Sequence, residues 1–394
     1  MEELFQWLTR LEALSQTVPP VFVERMHRVF VPSPLDFDGT VIRVVDSGQE
    51  ASSFGRLPGK LAVLCWPDSN TSPSLGNQAV AAQLGAVFTF ATNRRIEVAA
   101  SDLAITPEGT EQRIFLPTNL VADRALAGPL GPDPENQITS VLESLYGLPS
   151  SDRESIGSAM ELHYNAALLY DVDVNAAYAL AVAGVERLSQ AYGSQSVAWM
   201  DWEHSSRFDR VFDEVSLTET QADRLRAEIL LERHLRLRQS FASYATETLP
   251  ETFWDCPLDV FTPGLTRVPG GAAQFGGWVS GDPESIGKFV PSDRAVLRKR
   301  LLKSYDARSS YVHAGTRRDM ISATVGQTVT EDSTVGPIEF VGIRAILREL
   351  IACELGARSV PSKLPPFIRT DGGHPQASAA PDTGSSATSD IPER

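Results

Sequence analysis

The spacing of apolar residues divides the chain into a mixed first part and a helical second part. In the first part, apolar residues at helical spacing alternate with short β-branched runs bounded by Gly, Pro and Asp. Loops rich in Pro, Gly and Asp follow, and we expect a domain boundary near residue 134. The predicted elements are helices over residues 2–16 and 77–91, and strands over 40–45, 61–66, 95–99 and 112–116.

From residue 136 onward helical spacing dominates. The segment 250–291 differs: it is rich in Gly, Pro and aromatic residues, which predicts an irregular insertion packed by its aromatic rings. Ser292 is the expected N-cap of the following helix and Gly315 its C-cap. The predicted helices cover 161–192 with a break near 171–173, then 218–248, 292–312 and 338–355.

These patterns predict an α+β protein. Residues 1–134 are expected to form a mixed α/β domain, and 135–357 an all-α bundle interrupted by the insertion at 250–291. The tail, 358–394, has too few apolar residues to fold and is predicted to be disordered.

Composition is that of a soluble protein: 42% of the 394 residues are hydrophobic. No apolar run reaches the length of a membrane span, Glu2 and Glu3 do not suit a secretory signal, and the three cysteines form no framework. We therefore expect a cytoplasmic protein without a membrane partner.

One stretch opposes the overall charge. The formal net charge of −15 argues against coating of nucleic acid, but residues 293–319 hold eight basic and three acidic side chains. A solvated helix face explains such a run, and so does a binding surface for phosphate groups. The candidate RNA-binding residues in it are Arg298, Lys299, Lys303, Arg317 and Arg318.

Arg308 and His313 in this stretch are the candidate catalytic residues. An arginine binds phosphate in a forked geometry, and a histidine transfers protons near neutral pH. Five residues on a helix turn by about 140°, so the two side chains flank a strip holding Ser309 and Val312. Such a site suits completion by a second subunit across a two-fold axis. The alternative is a surface ion pair for Arg308 and a C-terminal helix cap for His313.

Glu186 lies inside an apolar helical run, and a buried carboxylate needs a partner. Arg308 and Arg344 are the candidates, and a pairing with Arg308 would give that arginine a structural role. His163 is expected to be a packed core histidine. The remaining histidines are weaker candidates: His204 stands beside two carboxylates without a second metal ligand at helical spacing, and His234 is expected to be solvated. Neither a metal nor a cofactor is expected.

Three segments resemble the HEPN superfamily, in particular its Apea-like branch. They are Val-Ala-Gly-Val-Glu-Arg-Leu at 182–188, Tyr-Asp-Ala-Arg-Ser-Ser-Tyr-Val-His-Ala-Gly at 305–315, and a closing helix rich in Leu and Arg at 342–350. The resemblance covers about residues 155–356 and implies a homodimer that cleaves RNA without a metal, leaving 2',3'-cyclic phosphate and 5'-OH ends. Arg308 and His313 would be catalytic, with Tyr305, Ser309 and Glu186 supporting them.

Two functions follow from the sequence. The first is a HEPN-type endoribonuclease that acts as a toxin or phage-defence effector. The second is a non-catalytic HEPN-like module for dimerisation, RNA binding or scaffolding. Ser309 favours the second, because many active HEPN nucleases carry Asn, Asp or His directly after the arginine.

Overall fold

A computed structural model gives the fold of the chain. It describes residues 1, 3–6, 24–31, 37–38, 43–51, 59–67, 77–98, 129–170, 173–193, 198–202, 204–231, 236–259, 261–267, 273–316 and 336–360. These residues are mostly helical. No helix among them is both long enough and apolar enough to span a membrane.

Nine helices account for most of the described chain. They are α1 (Asn77–Thr92), α2 (Pro134–Tyr146), α3 (Ser150–Leu169), α4 (Val174–Tyr192), α5 (Ser205–Glu214), α6 (Glu219–Leu231), α7 (Leu237–Thr248), α8 (Arg294–Ala314) and α9 (Phe340–Arg358). Short 3-10 helices lie at Trp199–Asp201, Glu251–Asp255 and Ile286–Lys288.

The first part of the chain contributes an antiparallel sheet of five strands. They are β1 (Glu24–Val31), β2 (Phe37–Asp38), β3 (Arg43–Ala51), β4 (Gly59–Pro67) and β5 (Glu97–Val98). Their order in the sheet is β2-β3-β4-β1-β5. Strand β1 pairs with β4 along its full length, from Glu24 opposite Pro67 to Val31 opposite Lys60.

The strands and helices predicted within this part agree with the structure at 77–91, 61–66 and, more loosely, 40–45 and 95–99. The predicted helix over 2–16 is described only at residues 3–6, which are helical, and the predicted strand at 112–116 lies outside the described residues. The division of the chain into a mixed α/β domain and a bundle near residue 134 stays a prediction. Helix α1 packs on α2 and α3, so one hydrophobic core extends across that position.

Helices α3, α4 and α9 form the centre of this core, with α7 and α8 packed on α4. The break predicted near 171–173 is confirmed: α3 ends at Leu169, and the Asp173 side chain accepts hydrogen bonds from the first backbone N–H groups of α4. The Tyr178 hydroxyl donates to the Ile338 carbonyl at 2.9 Å, which ties α4 to the segment before α9.

The boundaries of α8 follow from its caps. The predicted N-cap Ser292 is wrong: Asp293 caps the helix, because its carboxylate accepts from the backbone N–H groups of Ala295 and Val296. An ionised carboxylate there also interacts favourably with the positive end of the helix dipole. The predicted C-cap Gly315 is confirmed, with φ of 64°.

Residues 250–291 are more regular than predicted. Strands β7 (Phe261–Arg267) and β8 (Ala273–Ser280) form an antiparallel hairpin, and the short strands β6 (Pro257–Leu258) and β9 (Glu284–Ser285) pair beside it. The Gly and Pro residues that suggested an irregular segment are accommodated within this pairing, with a register shift after Gly264. Phe253, Trp254 and Phe289 are buried in the main core, as the aromatic content predicted.

The predicted helix over 218–248 is two helices, α6 and α7, on either side of residues 232–235, which lie outside the described residues.

Residues 198–231 form a satellite helical pair with an aromatic cluster of its own. The Asp209 carboxylate joins its parts, accepting from the Trp199 indole at 2.9 Å and from Arg226. The predicted disordered tail is described only as far as residue 360.

Two exposed glycines, Gly315 at the C-cap of α8 and Gly356 inside α9, test the assigned end of α8. Gly315→Ala should destabilise the protein by about 1 kcal/mol, since a Cβ disfavours the left-handed backbone although nothing lies within 4 Å of it. Gly356→Ala should instead stabilise it by about 0.5 kcal/mol, because Gly356 lies inside α9 with equal space around it. Urea denaturation measures both. Shifts of the same sign would contradict the assigned cap.

Candidate functional site

Arg308 is held by Glu186 in the seam between α8 and α4. The guanidinium Nη2 lies 3.3 Å from the Glu186 Oε2, and the side chains are 23% and 10% exposed. Gln190 donates to the other carboxylate oxygen at 3.2 Å. Of the two partners predicted for Glu186, the structure therefore selects Arg308.

Tyr305 completes this network. Its ring lies 6.0 Å from the Arg308 guanidinium and packs against Phe241 of α7. Burial raises the pKa of the Tyr305 hydroxyl, and the nearby negative charge of Glu186 raises it further. The phenol therefore keeps its proton, and it lies beside the carboxylate that Arg308 and Gln190 hold.

His313 lies at the other edge of the same helix. It is exposed in the last turn of α8, about 140° around the axis from Arg308. The strip between them holds the half-buried Ser309 and Val312, which is 53% exposed. The structure thus directs Arg308 toward α4 and leaves His313 in solvent, so the two side chains flank a partly apolar strip.

The basic stretch divides into buried and exposed members. Arg300 is buried in an ion pair with Glu339 at 3.0 Å, and Arg298 donates to Gln239 of α7 at 2.9 Å. Arg294 donates to the carbonyls of Thr246 and Leu249 at the end of α7 and pairs with Glu251. These arginines anchor α8 to its neighbours.

Lys299 and Lys303 are the exposed members of the predicted RNA-binding set. They lie within about 80° of His313 around the helix axis, so all three share one solvent face of α8. Arg317 and Arg318, also predicted to bind RNA, lie outside the described residues. Lys299, Lys303 and His313 therefore lie on one face of α8, and Arg308 lies on another.

His163 is a buried core histidine, as predicted, with no exposed surface. It packs edge-on against Phe90, and its Nε2 lies 3.5 Å from Arg344 Nη1. Burial lowers the pKa of the imidazole well below its usual value, and the positive charges of Arg344 and Arg348 lower it further. His163 is therefore neutral in the folded protein.

Arg344 belongs to a group of arginines that the sequence analysis did not identify as a site. We define the arginine cluster as Arg94, Arg344 and Arg348, which meet at the end of α1. A signal was present in the sequence: arginines four residues apart within an apolar helix, and a second basic pair directly after another apolar helix. The sequence predicts Arg344 only as an alternative partner for Glu186, which the structure pairs with Arg308 instead.

Candidate metal ligands are few. In the part of the chain that the structure describes, no three His, Cys, Asp or Glu side chains come together as a metal would require. His204 is exposed on the satellite helical pair, where its ring packs edge-on against Trp202 at 5.5 Å. His234 lies outside the described residues.

The chain matches no protein-family model, no curated protein and no solved structure. The HEPN resemblance therefore rests on the segments around Glu186, Arg308 and Arg344.

The burial of His163 predicts that the free energy of unfolding depends on pH. The folded pKa of His163 is below its unfolded value of about 6.5, so the unfolded chain binds the extra proton as the pH falls below that value. The stability contributed by neutral His163 is fully present above pH ~6.5 and is lost on acidification, at up to about 1.4 kcal/mol per pH unit. His163→Gln should remove this slope from the free energy of unfolding, measured by urea denaturation between pH 5 and 8. His313→Gln, the exposed control, should keep it; identical curves for the wild type and His163→Gln would refute the assignment.

Proposed function

We propose that the helical part of the chain is a HEPN-like endoribonuclease that acts without a metal. The observation that carries this proposal is the position of Arg308: Glu186 holds its guanidinium, and the side chain stays 23% exposed, on the helix that ends in exposed His313. An arginine oriented by a carboxylate keeps further N–H donors for a phosphate.

RNA supplies its own nucleophile, so the protein needs only to position, transfer protons and stabilise charge. In the proposed reaction the 2'-oxygen attacks the adjacent phosphorus and the bond from phosphorus to the 5'-oxygen breaks. His313 takes the proton from the 2'-hydroxyl, and a protonated His313 of a second copy gives one to the leaving 5'-oxygen. Arg308 binds the phosphate oxygens on which charge develops. The products are a 2',3'-cyclic phosphate and a 5'-hydroxyl.

A second copy is needed because Arg308 and His313 lie about 140° apart on one helix. Two α8 helices meeting across a two-fold axis bring both pairs to one cleft. Exposed Val312, between the two residues, gives an apolar contact for such a dimer. Lys299 and Lys303 on the face of His313 extend the cleft with positive charge that attracts the RNA backbone.

Within this proposal the protein is a cytoplasmic toxin or phage-defence effector, and the first part of the chain restrains the nuclease or senses its trigger. The continuous core that joins α1 to α2 and α3 supports this coupling, because a change in the first part reaches the bundle through packed side chains.

Cleavage of total tRNA or rRNA in EDTA tests the proposal. We expect His313→Ala to lower the cleavage rate at least 100-fold, the usual contribution of a general acid–base group. His204→Ala, which removes another exposed histidine, should leave the rate unchanged. Mass spectrometry of the fragments should find 2',3'-cyclic phosphates. Equal rates for the wild type and His313→Ala, or no cleavage of any RNA, would refute the nuclease.

The Arg308–Glu186 ion pair itself favours a second candidate, a non-catalytic module for dimerisation or scaffolding. A half-buried arginine paired with a buried carboxylate stabilises the contact between α4 and α8 whether or not it binds RNA. If the protein is such a module, His313 has no role in its function. Ser309, at the position where many active HEPN nucleases carry Asn, Asp or His, is then part of a structural segment.

A double-mutant cycle separates the candidates. If the pair is structural, Arg308→Ala and Glu186→Ala should each destabilise the protein by about 1–3 kcal/mol, with coupling of about 1 kcal/mol in the double variant. Arg238→Ala, which breaks the more exposed pair with Asp306 on the same helix, should cost less than about 1 kcal/mol. An Arg308→Ala protein that is as stable as the wild type but does not cleave RNA would favour the nuclease instead.

A further inference from the structure

The arginine cluster lies apart from the Arg308 and His313 strip. Arg94 follows α1, and Arg344 and Arg348 lie one turn apart on α9. Arg94 and Arg344 are 4% and 1% exposed, and Arg348 is half-buried. Two buried arginines beside a half-buried third are uncommon in proteins, because each guanidinium group loses hydration on folding.

The three side chains converge on the last turn of α1 and the residue after it. Arg348 Nε donates to the Phe90 carbonyl at 3.3 Å, Arg94 Nη1 to the Asn93 carbonyl at 3.0 Å, and Arg344 Nη1 to the Asn93 side-chain oxygen at 3.2 Å. Asn93 adopts a left-handed backbone with φ of 50°, which turns the chain so that both of its oxygens face the arginines.

Part of this arrangement is explained by helix capping. The carbonyls at the end of α1 lack intrahelical donors, and cations there interact favourably with the helix dipole. The dipole, however, amounts to about half an elementary charge, whereas the cluster brings together three guanidinium groups. Burial lowers the pKa of Arg348 to about 10, and the repulsion from Arg344 and Arg94 contributes to that shift. The three guanidinium groups therefore repel one another, and an anion bound among them lowers that repulsion.

One anion already occupies the outer edge. The Asp259 carboxylate lies 2.6 Å from Arg94 Nη2, and its side chain is 53% exposed although the arginine is buried. Asp259 comes directly after β6, at the start of the segment that leads into the hairpin, and the ring of Phe261 covers Arg94 at 4.9 Å. The negative charge of Glu349 partly opposes the lowering of the Arg348 pKa. Asp259 is exposed and Arg348 is only half-buried, so the solvent side of the cluster is the side where Asp259 lies.

We propose that the arginine cluster is a binding site for the phosphate group of a small phosphomonoester, and that Asp259 holds the position of that group as a tethered competitor. Arg94 and Arg348 form the outer wall of the site, with Arg344 behind them. Guanidinium groups bind phosphate through paired N–H donors, and a dianion offsets more of the positive charge than one carboxylate does.

The proposal concerns a different site from the proposed nuclease and does not depend on it. A ligand at the end of α1 contacts both α1 and α9, which the arginines of the cluster connect, and α1 in turn packs on α2 and α3. Its binding would therefore stabilise the folded protein as a whole, which provides a direct measurement.

Thermal unfolding and calorimetric titration with inorganic phosphate test the site, with sodium chloride at matched ionic strength as the reference. We expect phosphate to raise the melting temperature of the wild type. Asp259→Asn, which removes the competing charge and keeps the side chain's shape, should bind phosphate at least fivefold more tightly. Arg348→Met should weaken binding at least tenfold. Arg238→Met, which removes an arginine from a distant ion pair, should bind as the wild type does.

Further ligands identify the source of the phosphate. Adenosine monophosphate binding more tightly than inorganic phosphate would assign a nucleotide, and equal affinities would assign the phosphate group alone. Succinate binding as tightly as phosphate would overturn the choice of a phosphate ligand. No phosphate-specific stabilisation in either the wild type or Asp259→Asn, or equal binding in Asp259→Asn and Arg348→Met, would overturn the site. The phosphate affinity of Asp259→Asn tests the site even if Arg348→Met does not fold.

Discussion

Helix α9 is buried over most of its length, and this burial requires that each polar group on it be matched inside the protein. Glu354 accepts from Tyr244 of α7 at 2.7 Å and from Arg358 at 2.8 Å. Arg344 and Arg348 donate to groups at the end of α1. Through these contacts one helix fixes the position of α7 on one side and of the first part of the chain on another.

The same requirement governs α8. Its buried arginine Arg300 pairs with Glu339, the residue directly before α9, and the half-buried Arg308 pairs with Glu186 of α4. Lys299, Lys303 and His313 are exposed on one face of α8, so these side chains stay hydrated. A run that is mostly basic in sequence is therefore divided by the fold into anchoring cations and solvent-facing cations.

This division bears on the proposed chemistry. Arg308 has both properties at once, since it is fixed by Glu186 and remains partly exposed. A fixed guanidinium loses less conformational entropy when it binds a phosphate, which suits catalysis, and it also stabilises the bundle, which suits a scaffold. The arginine cluster at the end of α1 is a separate concentration of charge, on α9 and the residues after α1.

The sequence by itself determined helices α4, α8 and α9, the break before Asp173, the cap at Gly315, and the burial of His163 and Glu186, because these follow from local periodicity and from the cost of burying charge. It predicted neither α2 nor α5, and it joined α6 and α7 into one helix. It also limited the partner of Glu186 to two arginines. Only the tertiary structure decided between them, since the choice depends on which helix packs against α4. It alone revealed the arginine cluster, because the cluster depends on contacts between residues far apart in the chain. The hairpin at 261–280 pairs residues that are close in the chain, but the Gly and Pro residues within it hid the strand pattern.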